Sequence, residues 1–136
     1  RSQGLLDTST VILLGRLTDV TTLPEEAVVS AITLAELSVG PHVAVTDYDR
    51  VARQAHLQQA EADFEPVPFD APAARAFGRV AASLRLTGKK PAARVYDALI
   101  AATAIANEMP LYTCNPSDFE GIDELEVVAV PHPDRG

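Results

Sequence analysis

A helix that is apolar on every side limits what this chain can fold into. Residues 95–106, VYDALIAATAIA, have the composition of a helix and carry apolar side chains on all of its faces. A surface helix needs only one apolar stripe, whereas a helix that is apolar all round is normally buried. The sequence therefore predicts a domain in which other elements pack around this helix.

One charged side chain interrupts the apolar helix. Asp97 lies in its first turn, where it could simply complement the positive end of the helix dipole. A buried carboxylate without a partner is costly, however. Asp97 therefore also suggests a compensating group such as a cation.

Short apolar runs alternate with helical patterns along the rest of the chain. The runs predict strands at residues 4–6, 27–32, 111–113 and 127–130, and a short or edge strand within the proline-broken residues 64–69. Helices are predicted at residues 10–17, 33–40, 46–63 and 71–86. Such alternation is typical of an α/β fold with a mostly parallel sheet covered on both faces. We expect a single domain over residues 1–136, with residues 131–136 forming a flexible tail.

Cysteine content and charge narrow the class of protein. Cys114 is the only cysteine, which excludes an internal disulfide and fits a reducing compartment such as the cytoplasm. No apolar run approaches the ~20 residues that span a bilayer. The net charge of −8 counts against nucleic-acid binding, but less so if the acidity is concentrated in a cation site.

Acidic and amide side chains follow the ends of the predicted strands. Asp7 directly follows the first strand, Glu36 lies in the first turn of the helix after the second, and Asn115 and Asp118 follow a later strand. Asp97 begins the helix that leads into that later strand, which places all five at the carboxyl edge of the sheet. Oxygen ligands select hard cations such as Mg²⁺ or Mn²⁺, and such a site suits phosphodiester hydrolysis.

Most of these positions also have a purely structural interpretation. Thr33 and Glu36 have the spacing of a capping box, and Asp7 could only cap the helix that follows it. Asn115 followed by Pro116 is a good helix start. The joint placement along one edge, rather than any single position, favours a shared site.

Four segments resemble the PIN domain, specifically the VapC-type toxin ribonucleases of type II toxin–antitoxin systems. They are LLDTS, ITLAELSVG, YDALIAATAIANEMPLYT and NPSDFEGI, in this order along the chain. The resemblance implies an α/β/α sandwich with a mainly parallel sheet and an endoribonuclease activity that depends on Mg²⁺ or Mn²⁺. It also implies a homodimer that is inhibited by a VapB-type antitoxin.

The resemblance also implies roles for particular residues. The family's acidic positions match Asp7, Glu36, Asp97 and, through the pattern Thr-x-Asn-x-x-Asp-Phe, Asp118. Polar support is expected from Ser9, Thr113 and Asn115. Many relatives carry Asp where this chain has Asn115, and Arg where it has Cys114.

The expected mechanism divides the work among the four acids. Asp7 and Asp97 hold a first metal ion, Glu36 ligates it through water or orients the attacking water, and Asp118 completes the cluster or recruits a second ion. Candidate phosphate contacts are Lys89, Lys90 and Arg94, with Arg16 and Arg53 as further candidates.

Two other functions remain open on the sequence. A phosphatase could use Asp7 as its nucleophile, although a haloacid-dehalogenase-like enzyme carries a second Asp where this chain has Ser9. A non-catalytic binding module could keep the fold without the chemistry, although it would be expected to have lost its acids.

Overall fold

A parallel sheet runs through the centre of the computed structural model, which describes residues 2–89 and 94–135. Its strands are β1 (Gln3–Leu6), β2 (Glu26–Ser30), β3 (Pro66–Val67), β4 (Leu111–Thr113) and β5 (Val127–Ala129). They lie in the order β3–β2–β1–β4–β5, and every neighbouring pair is parallel. The chain thus builds one half of the sheet outward from β1, then returns to add β4 and β5 on its other side.

Helices cover both faces of this sheet. They are α1 (Thr8–Leu13), α2 (Ala31–Val43), α3 (Asp47–Asp63), α4 (Ala71–Leu86) and α5 (Val95–Ala106), with 3₁₀ turns at Leu14–Arg16 and Pro116–Phe119. Successive strand residues face opposite sides of a sheet. Leu5 accordingly packs in one core with α4 and α5, and Leu6 packs in a second core with Val29 and Leu37. The predicted α/β/α sandwich is confirmed.

The apolar helix, α5, is buried over most of its length, as the sequence predicted, although Val95 and Tyr96 at its start are exposed. Ala98, Ile100, Ala101, Ala102 and Ala104 are fully buried. Its hydrophobic contacts belong mainly to the core that also contains Val80 and Leu84 of α4. The small alanine side chains allow these two helices to pack closely.

The junction between β2 and α2 differs from the prediction. β2 ends at Ser30, whose hydroxyl accepts a hydrogen bond from the Ile32 amide, so α2 begins at Ala31. The capping-box interpretation of Thr33 and Glu36 is therefore wrong, and Glu36 lies in the second turn of α2. The β-branched residue at position 32 resembled strand, but the serine cap ends the strand earlier.

The boundaries of the other elements differ less from the prediction. α1 begins directly after Asp7 rather than at Thr10, because the Asp7 side chain caps it. The edge strand predicted within residues 64–69 is confirmed as β3. The loop predicted at residues 87–91 lies partly outside the described residues, and so does Lys90. No helix of the described part is long and apolar enough to cross a membrane.

Candidate functional site

The polar side chains singled out in the sequence gather at the carboxyl edge of the sheet. Asp7 directly follows β1, and Asn115 and Asp118 follow the adjacent strand β4. Glu36 reaches the same edge from α2, and Asp97 reaches it from the first turn of α5. The chain reverses its building direction between β1 and β4, and such a switch point is where open parallel sheets bind ligands.

Asp7 is buried and held from several directions. Its carboxylate accepts hydrogen bonds from the Thr113 hydroxyl at 2.8 Å, the Ser9 hydroxyl at 3.1 Å, the Thr10 amide at 3.2 Å and the Thr10 hydroxyl. Only 4% of Asp7 is exposed. These bonds fix the orientation of the carboxylate and satisfy it inside the protein.

A threonine links Glu36 to the turn that follows β1. The Thr8 hydroxyl lies 2.6 Å from Oε1 of Glu36 and 3.0 Å from the Thr33 hydroxyl. Burial raises the pKa of Glu36 and the nearby Asp7 carboxylate adds to this rise, whereas the Thr8 hydrogen bond opposes it. Glu36 is thus poised to hold a proton more readily than an ordinary surface glutamate.

The pKa of Asp97 depends on its burial and on the other acidic groups of the site. Burial, followed by the charges of Asp118, Glu36 and Asp7, raises the pKa of Asp97 to about 6, while Arg94 opposes the rise. Since each of these carboxylates perturbs Asp97, all four lie within one electrostatic neighbourhood. Strongly perturbed carboxyls in such a cluster are typical of functional sites.

The Asp118 carboxylate forms an ion pair with Arg94. Nη1 of Arg94 lies 3.4 Å from Oδ1 of Asp118 and 3.2 Å from its backbone carbonyl oxygen. Both side chains are more than a third exposed, so the ion pair is weak. Arg94 therefore leaves Asp118 accessible at the rim.

The three predicted support residues connect β4 to the turn after β1. The Thr113 hydroxyl accepts a hydrogen bond from the backbone N–H of Asn115 at 2.9 Å and donates one to the Asp7 carboxylate. Nδ2 of Asn115 donates to the Ser9 hydroxyl at 3.0 Å. Thr113, Asn115 and Ser9 thus all act on Asp7, directly or through one intermediate.

The carboxylates are neighbours rather than a finished coordination sphere. Within residues 2–89 and 94–135, no three His, Cys, Asp or Glu side chains come close enough together to hold a metal ion. Besides burial, the charges of Asp118, Glu36 and Asp7 nevertheless each contribute to the raised pKa of Asp97. Two of the acids have separate partners, Thr8 for Glu36 and Arg94 for Asp118.

The chemistry of the donors fits a hard divalent cation. All four candidate ligands, Asp7, Glu36, Asp97 and Asp118, offer carboxylate oxygens, which Mg²⁺ and Mn²⁺ prefer. Burial and repulsion from the other carboxylates raise the pKa of Asp97, and a cation among them would relieve the repulsion.

The sequence missed two threonines that organise the site. Thr8 bonds Glu36, and the Thr10 hydroxyl joins Asp7 to the backbone amide of Cys114. The signal was present as a run of hydroxyl residues, Thr-Ser-Thr, directly after Asp7. Only the first turn of α1 shows that the Thr8 hydroxyl reaches Glu36 while the Ser9 and Thr10 hydroxyls both reach Asp7.

The candidate phosphate contacts have partners within the protein. Lys89 donates to the Glu120 carbonyl oxygen at 2.7 Å, Arg53 donates to the Gly40 carbonyl oxygen at 3.1 Å, and Arg16 pairs with Asp134. Arg94 pairs with Asp118 as described above. A further arginine that the sequence did not single out, Arg135, contacts Asn115.

The chain is similar in sequence to known proteins of one family. The family model of the PIN domain matches residues 5–125. Ribonuclease VapC5 of Mycobacterium tuberculosis is 36% identical over 132 residues, which cover 93% of this chain and 95% of that protein. Ribonuclease VapC of Rickettsia bellii is 32% identical over 133 residues, covering 93% and 96%.

A solved structure agrees with these sequence relatives. The crystal structure of VapBC-5 from Mycobacterium tuberculosis, a member of the VapBC family of toxin–antitoxin systems, superposes with a TM-score of 0.81. The two chains are 33% identical, and the match covers 96% of this chain and 100% of that one. The likeness therefore includes the strands and helices that carry the acidic residues.

Proposed function

The chain belongs to the PIN domain family and to its VapC ribonucleases, and from that premise we propose that it is a metal-dependent endoribonuclease. The proposal rests chiefly on one observation. Four carboxylates from separate elements lie at the carboxyl edge of the sheet around its switch point, where burial and the charges of the other three raise the pKa of Asp97. Part of the net charge of −8 lies in this proposed cation site. A cation bound there would offset it, so the net charge does not exclude RNA as the substrate.

We assign the metal to the four acids at the rim. Asp7, Glu36, Asp97 and Asp118 would hold Mg²⁺ or Mn²⁺, which lowers the pKa of water and neutralises phosphoryl oxygens when bound. Asp7 is oriented for this by Thr113, Ser9 and Thr10.

The protein's own groups position the reactants. Glu36, whose pKa is raised, accepts a proton from the attacking water, which is the task of a general base. The water oxygen bonds to phosphorus as the bond to the 3′ oxygen breaks, and that oxygen takes up a proton. The products are a 5′-phosphate and a 3′-hydroxyl, and we expect the protein to act in the cytoplasm.

Substitution of Asp7 tests the catalytic assignment. Asn is also a good N-cap, so Asp7→Asn should fold, as judged by circular dichroism, and yet lose roughly 10²-fold or more of the RNA cleavage rate. Glu124→Gln is the control, because Glu124 pairs with Arg79 beside the far end of α5. Cleavage by folded Asp7→Asn at the wild-type rate would falsify the assignment.

Metal binding can be measured without activity. A ligand that binds only the folded state raises its stability, so Mg²⁺ or Mn²⁺ should raise the melting temperature of the wild-type protein in a concentration-dependent way. Asp97→Asn should respond much less. Equal responses of the two proteins would instead indicate non-specific cation effects and support a non-catalytic binding module.

We further propose two protein partners. VapBC-5, at 33% identity, is a toxin–antitoxin system, and by analogy this chain is neutralised by a VapB-type antitoxin and forms a homodimer. Exposed apolar side chains on α2, α3 and the turn between them support burial by another chain; they are Val39, Val43, Val45, Tyr48 and Val51. Co-purification with the antitoxin and loss of RNA cleavage in the complex test this proposal.

A further inference from the structure

The residues after β5 fold back over the rim of the acidic site. The Val130 amide donates to the Thr113 carbonyl oxygen at 2.8 Å and so extends the pairing with β4. A tight turn follows, in which the Asp134 amide donates to Nδ1 of His132 and the Arg135 amide donates to the His132 carbonyl oxygen. His132, Asp134 and Arg135, which fall within the predicted tail of residues 131–136, thus have defined hydrogen-bond partners.

Two side-chain contacts fasten this turn to the site. Asp134 pairs with Arg16, which ends the 3₁₀ turn after α1. Nη1 of Arg135 donates to Oδ1 of Asn115 at 3.2 Å. One contact therefore joins the turn to the residues after α1 and the other joins it to the residue after β4, and together they hold Arg135 at the rim.

The contact with Asn115 sets the direction of a hydrogen-bond chain. Arginine has donors and no acceptors, so the atom that Asn115 turns toward Arg135 must be its oxygen. Nδ2 of Asn115 then faces Ser9 and donates to its hydroxyl at 3.0 Å. The Ser9 hydroxyl consequently donates onward to Asp7, at 3.1 Å. Arg135 is thereby connected to the buried carboxylate through two residues.

We propose that Arg135 binds a phosphate of the RNA beside the acidic cluster. This inference rests on the proposed function. Arg135 is exposed, and a guanidinium has five N–H donors in a fork that suits phosphate oxygens. Its known partner, Asn115, is a neutral amide, so its positive charge is not neutralised there. By contrast, Arg94 and Arg16 face carboxylates.

The position of Arg135 would also reduce the repulsion between the acidic cluster and an RNA phosphate. Four carboxylates repel a polyanion, and a cation at their edge lowers the cost of bringing a phosphate close to them. Arg135 lies on the β4 side of the cluster, through Asn115, whereas Lys89 and Arg94 approach through the turn that carries Asp118. The backbone of the RNA is therefore expected to cross the rim next to Asn115.

Binding measured against salt concentration tests this proposal. We choose the Asp97→Asn background, in which RNA is bound without being cut, and a fluorescent single-stranded RNA. Each phosphate contact contributes about 0.7 to the slope of log K against log salt, so Arg135→Gln should reduce that slope by about this amount. Arg135→Lys should keep the slope, because it keeps the charge. Arg79→Gln is the matched control, an exposed arginine beside the opposite end of α5.

Kinetics in the active background separate binding from chemistry. Arg135→Gln should raise KM by about tenfold, which corresponds to about 1.4 kcal/mol, with little change in kcat. An unchanged salt slope and KM in a protein whose parent cleaves RNA would overturn this inference and leave the proposed function intact. If the wild-type protein neither binds nor cleaves RNA with Mg²⁺ or Mn²⁺, the proposed function fails, and this inference fails with it.

Discussion

Asp97 lies in the first turn of an otherwise apolar helix. Its carboxyl is partly buried and interacts electrostatically with Asp118, Glu36 and Asp7. Burial and these charges raise its pKa from 3.8 to about 6. The folded protein therefore binds this proton more tightly than the unfolded chain does. By linkage, the contribution of Asp97 to the free energy of unfolding becomes less favourable as the pH rises from 3.8 through about 6.

Replacement of Asp97 by Asn should stabilise the protein while removing the proposed activity. At neutral pH, with EDTA present, the gain is expected on the order of 1 kcal/mol, after discounting for solvent screening of a partly exposed group. The gain should shrink as the pH falls toward 4, where the wild-type carboxyl is protonated. Urea unfolding at both pH values measures it.

The control for this substitution is Asp63→Asn, an exposed carboxylate in α3. It should change stability little at either pH. A gain from Asp97→Asn that is equally large at both pH values would argue against the charge-based explanation.

Thr8, in the first turn of α1, affects the pKa of Glu36. Its hydroxyl bond lowers the pKa of Glu36 and thereby offsets part of the rise that burial causes. Thr8→Val removes the bond at nearly constant volume, so the pKa of Glu36 should rise further. More of this carboxyl is then protonated at a given pH, and the acid limb of the pH–rate profile should move to higher pH.

The pH dependence of RNA cleavage checks the role of Thr8. Thr18→Val, at an exposed loop position, should leave the profile unchanged. A uniform loss of rate at all pH values in Thr8→Val, without displacement of the acid limb, would show that Thr8 acts on structure and not on the proton of Glu36.

At the scale of elements, two junctions aim the acids at one rim. β1 passes directly into α1 through Asp7, and β2 passes directly into α2 through Ser30. Because neither junction contains a loop, the first turns of both helices are fixed relative to the sheet. The side chains that approach the site from these helices, among them Thr8 and Glu36, are correspondingly well positioned.

The packing of α5 against α4 should be sensitive to added volume. Ala101 is fully buried in the core shared by these helices. Ala101→Leu should lower the free energy of unfolding by about 1–3 kcal/mol, since extra methylene groups in a close-packed core force neighbours to move. Chemical denaturation provides the measurement, with Ala82→Leu, exposed on α4, as a near-neutral control.

On the scale of the whole molecule, the exposed apolar side chains of α2 and α3 predict association. Val43 and Val45 are 60% and 94% exposed at the turn between these helices. If this surface forms the proposed homodimer, Val43→Asp combined with Val45→Asp should shift the mass toward that of a monomer. Size-exclusion chromatography with light scattering measures this over a range of concentrations.

An exposed valine elsewhere serves as the comparison. Val20 is 61% exposed between the first 3₁₀ turn and β2, so Val20→Asp tests the effect of a new surface charge alone. A dimer that persists equally in both proteins would place the interface on another surface.

The sequence by itself determined the layered α/β architecture and the set of acidic residues. Both depend on local pattern: α5 is apolar on all faces, the strands are short apolar runs, and Asp7 directly follows the first of them. Resemblance to the PIN domain added the assignment of Asp118 as the fourth acid, with Thr113 and Asn115 as polar support. These properties are encoded in neighbouring residues and need no knowledge of long-range contacts.

Only the tertiary structure decided which partners hold those acids. Thr8 meets Glu36 across 28 positions of the chain, Thr113 meets Asp7 across 106, and Arg135 meets Asn115 across 20. Such contacts depend on strand order, on where each helix begins and on the path after β5. No local periodicity records them, because hydrogen bonds between distant residues leave no spacing signal in a single sequence.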